Sequence, residues 1–213
     1  MSARLLAILL LVGSFGLLAQ APATPVVHSS EFGFSYSVPS DWQVAEAQPT
    51  PPEIREKQSQ EARSDDEKKG IACLQIALTA RRGDPASVIV AMALPFDCFG
   101  QSMTERDLPG FAEGGSEGLK QSFDLSEPAN ATYSLGTHNI WIERAKGTPK
   151  GHPETTYTVE IACGLLKKAA VCWMTMASDE STLRTFEGGA VVLDGDPFPA
   201  LVPANAFERK TGP

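Results

Sequence analysis

The most restrictive pattern in this chain surrounds Lys167-Lys168. Tyr157, Val159, Ile161 and Cys163 alternate onto one face, and Cys172, Met174 and Met176 do the same after Gly164-Leu165-Leu166-Lys167-Lys168-Ala169. Period-two alternation on both sides of a short polar centre predicts a β-hairpin. With the turn centred on Lys167-Lys168, Cys163 stands opposite Cys172 at a non-hydrogen-bonded position, where cross-strand side chains approach most closely. A disulfide there closes a short loop and contributes about 2–3 kcal/mol on chain-entropy grounds. The four cysteines, Cys73, Cys98, Cys163 and Cys172, allow three pairings. The hairpin selects Cys163 with Cys172 and leaves Cys73 for Cys98. A second hairpin, turning at Arg82-Gly83-Asp84-Pro85, puts Cys73 opposite about Leu94 and Cys98 beyond Pro95, so the chain has to fold back there.

Disulfides persist in oxidising compartments, and the N-terminus predicts export to one. Arg4 precedes an apolar run, Leu5–Leu18, followed by small residues at Ala19, Ala21 and Ala23. These are the basic, apolar and cleavable parts of a signal peptide over residues 1–23. The run falls short of the roughly 20 residues that span a bilayer, so the expectation is a periplasmic or secreted protein with no stable membrane anchor. The first cysteine is Cys73, which leaves none near the cleavage region for lipid attachment. Eighteen basic and 26 acidic residues give a formal charge of -8, one unit more negative without Arg4. A charge of that sign repels phosphate backbones and anionic lipid and argues against a nucleic-acid partner.

About 190 residues then remain, enough for one domain with a true core. Residues 24–30 are expected as a flexible mature N-terminus, residues 31–196 as a single domain, and residues 197–213 as an irregular tail. Phe32, Phe34, Tyr36 and Val38 alternate with small residues in a half-buried strand, and after Pro39-Ser40-Asp41 a short strand starts at Trp42-Gln43-Val44. A charged, proline-bearing insertion at 46–70 reads as exposed and partly helical from Glu53. Ala72, Leu74, Ile76 and Leu78 alternate in the next strand. The run Ser87–Leu94 is apolar on both faces and reads as a central strand covered on both sides, partly by helices.

A helix is predicted from Thr104 or Asp107 to about Phe123, with Pro109 tolerated in its first turn. Gly110, Gly114 and Gly118 are four apart and read as a smooth stripe lying close on the sheet. Strands follow at Tyr133–Leu135 and Asn139–Ala145, then the cysteine hairpin. A last helix is capped at Ser178-Asp179-Glu180, with Leu183, Phe186, Ala190 and Leu193 on one face before Asp194-Gly195-Asp196-Pro197 ends it. The fold class is α+β: an antiparallel β-sheet flanked by helices.

Phe34-Ser35-Tyr36-Ser37-Val38-Pro39 with Trp42, the Leu108–Phe123 helix and Thr182-Leu183-Arg184-Thr185-Phe186-Glu187, taken in this order, resemble the PsbP-like fold over about Glu31 to Gly195. That fold is shared by the extrinsic photosystem II protein, a nuclear Ran-binding release factor and many small exported bacterial proteins. The resemblance implies a non-enzymatic accessory or binding module and carries over no functional residue.

Chemistry is sparse. Gly114-Gly115-Ser116-Glu117-Gly118 matches G-x-S-x-G, but a nucleophile elbow needs a strand before the serine, and Pro109-Gly110-Phe111-Ala112-Glu113 is helical in pattern. The spacings offer no zinc set, and Asp194-Gly195-Asp196 has too few oxygen ligands for an EF-hand loop, so neither metal nor cofactor is expected. His28 sits in the N-terminal tail and His152 has no partner at ligand spacing. Asn130-Ala131-Thr132 fits a glycosylation sequon. Trp42, Trp141 and Trp173 read first as core. The best polar and aromatic grouping is His138 with Trp141 and Glu143, and with Trp173 it makes a candidate binding face. The expected function is an exported accessory module for an unidentified protein partner or small ligand. The alternative is a small hydrolase or ligand carrier using the His138, Trp141 and Glu143 face, with Ser116 as a nucleophile to test.

Overall fold

A computed structural model describes residues 25–48, 52–62, 64–84, 86–100, 103–126, 129–135 and 138–197. The expected signal peptide and residues 198–213 of the expected tail lie outside these. Along the chain run strands β1 (Val26–Ser29), β2 (Phe34–Val38) and β3 (Gln43–Gln48), helices α1 (Pro52–Glu61) and α2 (Asp65–Cys73), strands β4 (Gln75–Arg82) and β5 (Ser87–Pro95), and helices α3 (Phe96–Phe99) and α4 (Leu108–Lys120). Then come β6 (Phe123–Leu125), β7 (Ala129–Leu135), β8 (His138–Pro149), β9 (Tyr157–Leu165), β10 (Ala169–Ala177), α5 (Glu180–Glu187), β11 (Ala190–Leu193) and β12 (Asp196–Pro197). The strands form an eight-stranded sheet, β3-β4-β5-β10-β9-β8-β6 with β7 also on β8, and a four-stranded sheet, β1-β2-β11-β12. Every ladder is antiparallel. The protein is an α+β fold, and among the described residues no helix is long and apolar enough to cross a membrane.

The large sheet is covered on both faces by different material. One face carries Ile89 and Ala91 of β5, Ile140 and Ile142 of β8, and Val171 and Trp173 of β10. It packs on Phe34, Tyr36 and Val38 of β2, Leu183 of α5 and Leu193 of β11. The other face presents Ile161, Cys163 and Cys172 to Leu108 and Ala112 of α4. A side chain such as Ile140, about 1 % exposed, contributes roughly 1.5–3 kcal/mol by its burial. Strand β5 is central as expected, but only its Ile89, Ala91 and Ala93 face is fully buried. Val88, Val90 and Met92 are half-buried, because α4 reaches only as far as Met92.

The cysteine hairpin forms in the expected register. Cys172 is the cross-strand partner of Cys163, the two are disulfide-bonded with Cα atoms 4.1 Å apart, and Leu166 N–H donates to Ala169 C=O at 2.9 Å across the turn. Cys73 is bonded to Cys98, although not from a strand. Ala72 and Cys73 end α2, and β4 begins only at Gln75. Ser64 starts that helix, its hydroxyl accepting from Glu67 N–H at 3.1 Å, and Asp65-Asp66-Glu67 fill the first turn, where acidic side chains favour the helix dipole. The required fold-back past Pro95 is the single turn of α3, closed by Gly100 at a φ of 76°.

Four further expectations are corrected. Val26–Ser29 is no flexible leader to the domain but β1, paired along its length with β2. Helix α4 stops at Lys120, and Phe123 begins β6. The stripe of Gly110, Gly114 and Gly118 does not lie on the sheet: a Cβ at any of the three would meet nothing within 4 Å, whereas one at Gly115 would meet Ile161 Cδ1 at 3.3 Å. Finally, α5 ends at Glu187, so Ala190 and Leu193 belong to a strand. Gly189 lies between, where a Cβ would collide with the buried Tyr36 ring. Only glycine lets the backbone pass there and accept Ser37 N–H at 2.6 Å.

Two aspartates anchor the helix starts. Asp107 accepts from Thr104 N–H at 2.7 Å ahead of α4. Asp179 accepts from Thr182 N–H at 2.8 Å and from the Thr182 hydroxyl at 2.7 Å ahead of α5. The Thr182 hydroxyl also takes a bond from Arg82 at 2.5 Å, and the Arg82 guanidinium lies 5.2 Å from the centre of the Trp42 ring. The Thr182 backbone bond, then its hydroxyl, then the Arg82 charge hold the Asp179 carboxyl below its ordinary range. A depressed folded pKa contributes stability that is present above the unfolded value, about 3.9, and is lost as pH falls through the folded one. Asp179→Asn keeps the capping acceptor but does not titrate, so its denaturant midpoint should fall less steeply than the wild type's below about pH 4. Identical acid limbs would show that Asp179 does not hold this position.

Candidate functional site

Register across β8, β9 and β10 decides which candidate residues meet. Trp141 pairs with Cys163 and Cys163 with Cys172, so Trp141 stands on the disulfide's face, half-buried in the cluster beneath α4. Glu143, two residues on, shares that face. Trp173 pairs with Ala162, and Ala162 with Ile142; its ring is buried on the opposite face, edge-on to Phe34 at 5.6 Å. His138 follows the parity of Ile140 and Ile142 and also lies on that second face. The four residues proposed as one binding face are therefore split: Trp141 and Glu143 on one side of the sheet, His138 and Trp173 on the other. Trp42 is buried at the turn into β3, far in register from Trp141.

On the α4 side, a groove of about 330 Å³ opens between the helix and strands β7, β8 and β9. The helix wall supplies Pro109, Glu113, Ser116 and Lys120, a stripe at helical spacing. The floor is Trp141, Val159 and Ile161, and Asn130 and Glu143 complete the rim. The Ser116 hydroxyl donates to Glu143 Oε2 at 2.7 Å, tying helix to sheet. Lys120 bonds Glu117 at 2.6 Å. That bond and the Glu117 charge, then the charges of Glu113 and Glu143, hold its ammonium above the usual lysine range. The Trp141 indole N–H is buried and has no acceptor among the described residues. The sequence marks Ser116 through its G-x-S-x-G context alone, and Glu113 and Lys120 join it at the site only in the structure. The i, i+3, i+7 spacing of Glu113, Ser116 and Lys120 is the legible signal for a polar stripe beside the apolar one.

The second face holds a separate polar node. His138 Nδ1 lies 2.9 Å from Leu165 C=O and its Nε2 lies 3.6 Å from Asp194 Oδ2. The Asp194 carboxylate accepts Lys167 N–H at 3.0 Å, and Asp194 N–H donates to Gly33 C=O at 2.6 Å. Asp194 sits at a φ of 53° and Gly33 at 96°, left-handed conformations that make two tight turns meet. Asp194-Gly195 thus serves the β11–β12 turn and the hairpin tip. Nearby on this face, Glu160, 4 % exposed, receives two bonds from Arg144, at 2.8 Å from Nε and 2.5 Å from Nη2.

A larger cleft, about 860 Å³, lies between α1 and α2. Its charges are mixed, Arg55 and Lys68 beside Glu56, and no aromatic residue lines it. Among the described residues no group of three or more His, Cys, Asp or Glu is placed to hold a metal ion. His28 lies on the outer strand β1, and His152 reaches Glu154 at 3.3 Å on the surface.

No protein-family model matches the chain, and no curated protein matches it. Among solved structures it is similar to the solution structure of cyanobacterial PsbP (CyanoP) from Synechocystis sp. PCC 6803, with 11 % identity and a TM-score of 0.43 over 83 % of this chain and 91 % of that one.

Proposed function

We propose that this protein is an exported, non-catalytic accessory module that engages a protein partner through the groove between α4 and β8. The observation that carries the reading is the convergence of Trp141, Glu143 and Ser116 on one wall-and-floor arrangement. An aromatic floor with a few fixed polar groups at its rim is the usual composition of a recognition groove. The two disulfides are in keeping with an oxidising compartment. The hydrolase alternative would have to use Glu143 as its base, since Glu143 accepts the Ser116 proton at 2.7 Å while His138 lies across the sheet, and Ser116 lies inside α4 rather than on the strand-to-helix turn that a nucleophile elbow needs.

The test places a photocrosslinking residue at exposed Asn130 and compares adducts formed in the exported compartment by this protein and by its Trp141→Ala variant. Trp141→Ala should remove most of a discrete adduct set, roughly tenfold or more, while the far-UV spectrum keeps its sheet signature. Equal adducts from both proteins would overturn the reading. So would turnover of an ester that Ser116→Ala abolishes, which would favour the hydrolase.

A further inference from the structure

The groove's charges do not balance. Of the four charged residues that line it, both cations are committed elsewhere: Lys120 to Glu117 at 2.6 Å, and Arg144 to Glu160 on the far face. Among the described residues neither Glu113 nor Glu143 has an ion-pair partner. Glu143 is half-buried and its Oε2 is occupied by the Ser116 hydroxyl, which fixes the direction in which the other oxygen is offered. Counting Lys120 against Glu113, Glu117 and Glu143 leaves two negative charges beside a low-dielectric floor of Trp141, Val159 and Ile161.

A volume of about 330 Å³ is at the small end for a ligand pocket and suits one long side chain. An extended hydrocarbon stem would lie on Val159 and Ile161, with its charged head at the rim. There it would meet carboxylates, which favour a cation. A neutral apolar side chain would fill the floor equally well but leave two carboxylates partly desolvated and unpaired. The net charge of -8 would draw such a cation toward the surface. We propose that the groove takes a lysine or arginine side chain from the partner, with Glu113 and Glu143 as its counter-ions and Trp141 as its floor. This rests on the partner-binding reading above.

The probes are three capped tripeptides, Ala-Xaa-Ala with Xaa lysine, arginine or the uncharged isostere norleucine, titrated into the ¹⁵N-labelled protein. The basic peptides should shift the Trp141 indole and Ser116 amide peaks with a Kd on the order of 1 mM, weakening as salt rises. Glu113→Gln/Glu143→Gln keeps an acceptor for Ser116 and should weaken binding about tenfold. Equal shifts from the norleucine peptide, or none from either basic peptide, would overturn the assignment. Asn130 adducts that survive the double glutamine variant would overturn the cation while leaving the partner reading in place. Basic-peptide binding without any Asn130 adduct would overturn a protein as the source of the cation.

Discussion

Replacing Gly110, Gly114 and Gly118 together with alanine should raise the unfolding free energy by about 2 kcal/mol. Each glycine costs up to about 1 kcal/mol against alanine in a helix interior, and part of the gain comes from restricting the unfolded chain. Gly114 lies mid-helix and should contribute most. Gly110 and Gly118 lie in the first and last turns of α4 and should give about half as much each. Nothing in the fold opposes the change, since a Cβ at each position meets open space. For a chain of this size the expected rise in Tm is about 4–8 °C. Gly115→Ala is the internal control: its Cβ would press on Ile161 Cδ1 at 3.3 Å and Met174 Cε at 3.5 Å, so crowding should offset most of its propensity gain. A thermal scan in which Gly115→Ala stabilises as much as Gly114→Ala would mean that α4 turns a different face to the sheet.

That reversal of the glycine stripe illustrates what a sequence can and cannot locate. The spacing of Gly110, Gly114 and Gly118 was readable, but which side of the helix they occupy depends on where Leu108 and Ala112 find their partners, Ile161, Cys163 and Cys172. Those contacts are long-range. The cysteine hairpin was legible because alternation, a short turn and a covalent bond all specify one register. Strand β2 was legible because its buried face alternates with small residues. Helix α2 was not, although Ser64 before Asp65-Asp66-Glu67 is a start signal; the alternation of Ala72 and Leu74 masked it. Helix α5 ends short of the expected Leu193 because the apolar period of the sequence continues past Gly188-Gly189, a pair that more often breaks a helix than continues one.

The binding face failed for a subtler reason. Within β8 and within β10 each tryptophan alternates with an apolar set, Ile140 and Ile142 around Trp141, Cys172 and Met174 around Trp173. The neighbours themselves differ: Ile140 and Ile142 look toward β2 and α5, whereas Cys172 and Met174 look toward α4. In a sheet covered on both faces, an apolar alternate does not say which side is in, so Trp141 and Trp173 fall on opposite faces. Ser116 and Glu143, 27 residues apart, are joined only by the tertiary placement of α4.

Removing the Cys73–Cys98 bridge should be the most damaging single covalent change. The bridge spans 25 residues against 9 for Cys163–Cys172, which on loop-closure entropy makes it worth about 3.5 kcal/mol against about 2.7. It also carries the attachment of α2: Cys73 is the helix's one buried residue, set in a small cluster with Leu94, Phe99 and Ala170. Cys73→Ala/Cys98→Ala should therefore lower stability by about 3–4 kcal/mol and raise amide exchange across α1 and α2 ahead of the β9–β10 hairpin. Access orders the two bonds as well. Cys98 is exposed, while Cys163 and Cys172 are 0 % and 1 % exposed beneath α4, and a thiolate must reach a sulfur to exchange with it. Under mild reductant the folded protein should open Cys73–Cys98 first, and Cys163–Cys172 should yield only when α4 lifts or the sheet unfolds. Alkylation followed by non-reducing peptide mapping reads both the pairing and the order. Label appearing first on Cys163 and Cys172, or any peptide joining Cys73 to Cys163, would contradict the covalent frame on which the helix positions depend.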